Sequence, residues 1–154
     1  MNQISIGIDP GQNGGIAFIA GGASEAFPYS DEALIREMRK VKSLKKEYGS
    51  SVQVRVCLEK VGAMPGQGVV SMFSFGKSAG FIEGVLQAFE IPYQLIPPQT
   101  WKKEFSLNKS KEKSIDVCKR LFPGVNLFAT PRCKKEHDGM CEALLMAEYA
   151  RRKL

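Results

Sequence analysis

Ile4, Ile6 and Ile8 alternate with small or polar residues, the period-two pattern of a half-buried strand. The run ends at Asp9. Pro10, Gly11, Asn13, Gly14 and Gly15 then predict a tight turn, and residues 16–19 restart an apolar strand. Residues 23–29 predict a third strand. The period then changes. Leu34, Ile35, Met38, Val41 and Leu44 form the apolar stripe of a helix capped by Ser30 or Asp31 and running to about position 48. Residues 49–51 break it, and Val52, Val54, Val56 and Leu58 predict a strand ending at Glu59. The stretch 62–68, GAMPGQG, predicts a mobile loop. A helix over 71–89 and a strand over 91–96 follow. Pro97 and Pro98 stop the strand, and residues 99–105 predict a basic, aromatic loop or short helix. Further helices are expected from position 110 to about 122, before Pro123 and Gly124, and over about 136–152. Three consecutive strands followed by alternating strands and helices imply an α/β chain: a mixed five-stranded sheet with helices on both faces. No repeat or linker divides residues 1–154, so one domain is expected.

A chain of 154 residues, 44% hydrophobic, is long enough to bury a sizeable core. The formal net charge of +6 favours a polyanionic partner, most simply nucleic acid, although solubility alone also accounts for it. No basic segment precedes an apolar run at the N-terminus, so no signal peptide is expected. Lys77 and Glu83 interrupt the most apolar long stretch, 69–88, which argues against a membrane span. The four cysteines, Cys57, Cys118, Cys133 and Cys141, show no close pairing, consistent with free thiols in a reducing cytoplasm.

Acids end two of the strands, Asp9 and Glu59, and the last helix carries Asp138 and Glu142 at i and i+4, on one face. A carboxylate at the centre of a sheet is costly to bury unless something pairs with it, and a metal ion is one such partner. Acids from these three segments suit two divalent ions about 3.5–4 Å apart, the arrangement that activates water and stabilises a leaving 3′-oxygen in phosphodiester hydrolysis. Oxygen ligands suit Mg²⁺. Taken singly, each acid has an ordinary reading: Asp9 in an Asx turn, Glu59 a strand-end charge, and Asp138 with Glu142 a pair favoured by the helix dipole.

The run GIDPG with its Gly-rich hairpin, a strand ending in LEKV, then KEKS, and a last helix carrying DGMCEALLMA resemble, in that order, the RuvC family of Holliday-junction resolvases. The likeness spans essentially the whole chain. It implies a ribonuclease-H-like fold and a homodimer that needs Mg²⁺ or Mn²⁺ and nicks opposed strands of a four-way DNA junction. It matches the family's four carboxylates to Asp9, Glu59, Asp138 and Glu142. The last helix departs from the cellular pattern of two aspartates three residues apart before Ala-Leu. Here Glu142 precedes Ala143-Leu144, and Asp138 lies four residues back, a pattern closer to phage-encoded members. Two rival readings stand beside this one: a ribonuclease-H-type nuclease on RNA–DNA hybrids, and a non-catalytic protein that coats branched DNA.

Gly76, Gly80 and Gly84 recur every four residues on the 71–89 helix, and each costs a helix interior about 1 kcal/mol against alanine. Such a stripe indicates close packing, either on the chain's own sheet or, as the resemblance implies, across a two-fold dimer interface. Residues 73–78 end like a phosphate-binding loop, but Ser71 stands where its first glycine belongs and the segment reads as helix, so no nucleotide cofactor is expected. A kinase of the sugar-kinase and actin-like type would need two such domains. Cys133, His137 and Cys141 lack a fourth zinc ligand. His137, beside Asp138, is a candidate for auxiliary proton transfer. Lys102, Lys103, Lys111 and Lys113 are candidate phosphate contacts, which position DNA without reading its sequence. Lys113 is also the lysine that the resemblance sets near the active site. Met64 lies nearest the place where cellular members carry an aromatic wedge between bases. Its small neighbours equally suit a loose, sequence-tolerant loop.

Overall fold

The computed structural model describes residues 2–107 and 111–154, without the side chains of Lys111 and Glu112. Strand β1 (Asn2–Asp9) is the middle strand of five. It pairs antiparallel with β2 (Gly15–Ala20), which pairs antiparallel with β3 (Ala23–Pro28). On its other side β1 pairs parallel with β4 (Val52–Glu59), and β4 pairs parallel with β5 (Gln94–Ile96). The sheet order is β3-β2-β1-β4-β5. Helix α1 (Asp31–Tyr48) connects β3 to β4, and α2 (Val69–Ala88) connects β4 to β5. Helices α3 (Pro98–Glu104), α4 (Lys111–Leu121) and α5 (Asp138–Lys153) complete the chain.

The strand alternation sorts two cores onto the two faces. Ile4, Ile6 and Ile8 of β1, with Val52, Val54, Val56 and Leu58 of β4, pack against Leu34, Met38 and Val41 of α1 and against Ile82 and Leu86 of α2. The opposite face carries Cys57 and receives α5, α3 and α4 through Leu144, Met140, Trp101, Phe105, Val117 and Cys118. The helix-on-both-faces expectation therefore holds, and each face draws on the alternate positions of the same strands.

Gly7 lies at a β1 position that faces α5. A Cβ there would meet the Ala143 carbonyl oxygen and the Ala147 nitrogen, so the helix backbone rests directly on the strand. Gly15 and Gly139 repeat this closeness at the start of α5, against each other's backbone region. A glycine inside a strand marks such an approach.

Several boundaries differ from the sequence expectation. The strand predicted over 91–96 covers only Gln94–Ile96, because pairing with β4 begins at Cys57 opposite Gln94 and Pro92 has no N–H to offer a ladder. Ile91 is buried before the strand begins. The basic stretch after Pro97 is a helix. The last helix starts at Asp138, with His137 as its cap: Nδ1 of His137 accepts the Met140 N–H at 3.1 Å. The predicted helix start at position 110 lies outside the described residues.

Helix α2 is mostly uncovered. Only Ile82 and Leu86 are buried along it, while Val69, Val70 and Phe73 are exposed. A Cβ at Gly76, Gly80 or Gly84 would meet nothing within 4 Å, so the stripe does not serve packing on the chain's own sheet. By length and composition alone, α2 is also apolar enough to cross a membrane.

Candidate active site

Period-two alternation decides where the strand-end acids point. Asp9 shares the face of Ser5 and Gly7, and Glu59 shares the face of Cys57, so both project toward α5 rather than toward α1 and α2. Parallel register sets Ile8 opposite Leu58, which makes Asp9 and Glu59 the next residues along on adjacent strands. The close seat of α5 at Gly7 brings its first turns over the same spot. Glu142, one residue before Ala143, completes the cluster. Ligand oxygens of Asp9, Glu59 and Glu142 all lie within 4.8 Å of one another.

Such crowding is electrostatically expensive. Burial pushes Asp9 up to about 9, with the charges of Glu59 and Glu142 and a hydrogen bond shared with Glu142 adding to the shift. Burial also raises Glu59, against the opposing pull of a hydrogen bond from Trp101 and the charge of Lys102. Lys102 Nζ stands 3.9 Å from Glu142 Oε1 and 5.4 Å from the Trp101 ring centroid. Among the described residues, Lys102 is the ammonium that faces the cluster. Three converging carboxylates are a hard-oxygen donor set that fits a divalent cation such as Mg²⁺ or Mn²⁺, whose charge would relieve the repulsion.

The remaining candidates fall out differently. Asp138, at the first position of α5, is outside the group of three whose oxygens converge, so three acids meet here where four were expected. Lys102, expected to contact phosphate, is half-buried and stands 3.9 Å from Glu142. Lys103 and Lys113 are exposed, as phosphate contacts need to be. The side chain of Lys111 lies outside the described residues. Met64 is 63% exposed on the loop after β4. His137 uses Nδ1 to cap α5, which makes a structural role explicit. The zinc reading of Cys133, His137 and Cys141 fails: Cys141 is buried against Cys118 in the core, while exposed Cys133 contacts Thr130. All four cysteines are free thiols.

Sequence reasoning missed Trp101 as a partner of the site. It is fully buried, and its Nε1 donates to Glu59 Oε2 at 2.8 Å. The two residues are 42 positions apart, and no spacing rule links them. A groove of about 890 Å³ at the opposite end of β1, lined in part by Gln3, Ser5 and Glu148, has no such acid cluster; Glu148 is held there by Arg151 and Arg152.

No protein-family model matches this sequence, and no curated protein matches it. Solved structures do resemble it. The Thermus thermophilus RuvC structure has a TM-score of 0.50 and 18% identity over 99% of this chain and 96% of that one. T. thermophilus RuvC in complex with Holliday junction substrate has a TM-score of 0.53 and 18% identity, covering 98% of this chain and 96% of that one. The yeast mitochondrial Holliday junction resolvase Ydc2 has a TM-score of 0.48 and 14% identity, over 96% of this chain and 77% of that one. The chain has the ribonuclease-H-like fold of RuvC: a mixed five-stranded sheet flanked by helices.

Proposed function

We propose that this chain is a RuvC-type resolvase, a divalent-metal-dependent endonuclease that cuts four-way DNA junctions as a homodimer. The convergence of Asp9, Glu59 and Glu142 from three separated segments carries the reading. The shared fold with a RuvC bound to Holliday junction substrate supports the substrate class. The net charge of +6 suits a polyanion.

Asp9, Glu59 and Glu142 would hold the metal, and Asp138, outside that group of three, opens the helix that carries Glu142. A divalent cation held there would supply water activation and charge stabilisation at the leaving 3′-oxygen, consistent with 3′-hydroxyl and 5′-phosphate ends. The chain's own part is to fix three carboxylates on two strand ends and a helix. Lys103 and Lys113, both exposed, would hold phosphates of the DNA backbone. Met64 would sit among unpaired bases at the branch point.

A second copy would cover α2. Val69, Val70 and Phe73 are exposed there, and the open glycine stripe admits the close approach of another helix. A two-fold pairing sets two active sites against the two symmetry-related strands of a junction. The departure of the last helix from the cellular spacing favours a phage or prophage origin, acting in a bacterial cytoplasm.

The test is cleavage of a synthetic four-way junction in Mg²⁺, run beside an RNA–DNA hybrid. Paired nicks in the junction and an intact hybrid are expected. Asp9→Asn should still bind the junction and fail to cut it. Cleavage of the hybrid alone would favour a ribonuclease-H activity. Full Mg²⁺-dependent cutting by Asp9→Asn would overturn the mechanism.

A further inference from the structure

We propose that Trp101 is a positioning residue for Glu59, orienting that carboxylate for the metal. This rests on the metal-dependent reading above. Trp101 is fully buried, and a buried indole N–H needs an acceptor. Its acceptor is the Glu59 carboxylate, at 2.8 Å. A neutral donor to an ionised acceptor makes a stronger bond than a neutral pair. It commits Oε2 and fixes the plane of a side chain that otherwise has three free torsions. Among the described residues, Glu59 Oε1 accepts no hydrogen bond from the protein, so it is the oxygen left for a cation.

The backbone around this contact is rigid. Glu59 pairs with Ile96 at the end of the β4–β5 ladder, and the next residue, Lys60, donates its N–H to the Ile96 carbonyl at 2.8 Å. Pro97 and Pro98 follow at once and start α3, with Pro98 at its first position. The indole therefore arrives from an element pinned beside the same strand end as the carboxylate it holds. The next residue of α3, Lys102, reaches Glu142. Two consecutive side chains of one short helix thus touch two of the three converging acids.

Partners that orient a metal ligand without touching the metal typically contribute 10–100-fold in metal affinity. Mn²⁺ binding to this chain, read as loss of the free-ion electron paramagnetic resonance signal, measures this without any cleavage assay. Trp101→Phe is expected to weaken Mn²⁺ binding about 10-fold or more, and to move the Mn²⁺ dependence of junction cleavage by the same factor. A purely structural role is separated by a double-mutant cycle. In a Glu59→Ala background, Trp101→Phe should cost little further affinity, because the group it orients is already gone. Trp101 is also the chain's single tryptophan, so saturable quenching of its emission by Mn²⁺ in the unmodified protein, lost in Glu59→Gln, reads cation binding beside the indole. Trp101→Phe protein that is folded, by thermal unfolding, and binds Mn²⁺ within twofold of wild type overturns the proposal while leaving the metal reading intact. An equal penalty in both backgrounds also overturns it. Failure of the wild-type chain to bind Mn²⁺ at all overturns the metal reading and this proposal together.

Discussion

Gly7 of β1 rests against Ala143 of α5 so closely that a Cβ at position 7 would occupy the space of the Ala143 carbonyl oxygen. This contact sets the height of α5 over the sheet. Glu142 is the adjacent residue, so the same contact sets how near its carboxylate comes to Asp9. Neither backbone can yield cheaply, because β1 is paired on both sides and α5 is buried along most of its length.

Gly7→Ala should therefore destabilise the fold and displace Glu142. Overpacking of this kind costs about 3 kcal/mol, or roughly 6–12 °C in Tm for a chain of this size. Thermal unfolding measures it, and an unchanged Tm would show that α5 is not seated as described.

The pH response of the metal-free protein follows from Asp9. Its carboxyl titrates at about 9 in the folded chain and at its ordinary value, 3.8, when unfolded. Between those values the folded state keeps a proton that the unfolded state has released. Stability contributed by Asp9 therefore falls as pH rises through that window. Asp9→Asn removes the effect. In EDTA, the variant's Tm advantage over wild type should grow between pH 5 and pH 8.5. Saturating Mg²⁺ should raise the wild-type Tm most at the higher pH, because cation binding expels the proton. A Tm difference that does not change with pH would contradict the raised value.

Glu142 and Asp138 should separate in their effects. Glu142 is within the converging group and Asp138 is not. Glu142→Gln should weaken Mn²⁺ binding by at least tenfold more than Asp138→Asn, by the same free-ion measurement. Equal losses would mean that Asp138 joins the ligand set once a cation binds.

The open stripe on α2 predicts a variant that folds yet does not pair. Gly80 has nothing within 4 Å of where a Cβ would lie, so Gly80→Arg meets no obstacle within its own chain. It should leave Tm within a few degrees and convert a dimer to a monomer in sedimentation equilibrium. Junction cutting should then lose the coordination between its two nicks. A wild-type chain that sediments as a monomer at all concentrations would remove the dimer.

How much of this was legible beforehand depends on the range of the interaction. The strands, helices and their order follow from local periodicity, because burial of one face imposes a period that each short segment records by itself. Asp9 and Glu59 were visible as acids closing apolar strands, and Glu142 as an acid at the head of a helix with a core face. What the sequence by itself determined was this supply of carboxylates and the sheet to carry them. The tertiary structure alone decided which of them meet. Parallel register puts Asp9 beside Glu59, and the Gly7 contact brings Glu142 in while the converging group excludes Asp138. It alone turned Lys102 toward the acids and Trp101 onto Glu59, across 42 positions. It alone left the α2 glycines uncovered. Contacts of that kind are fixed by how whole elements pack, and no local pattern along the chain encodes them.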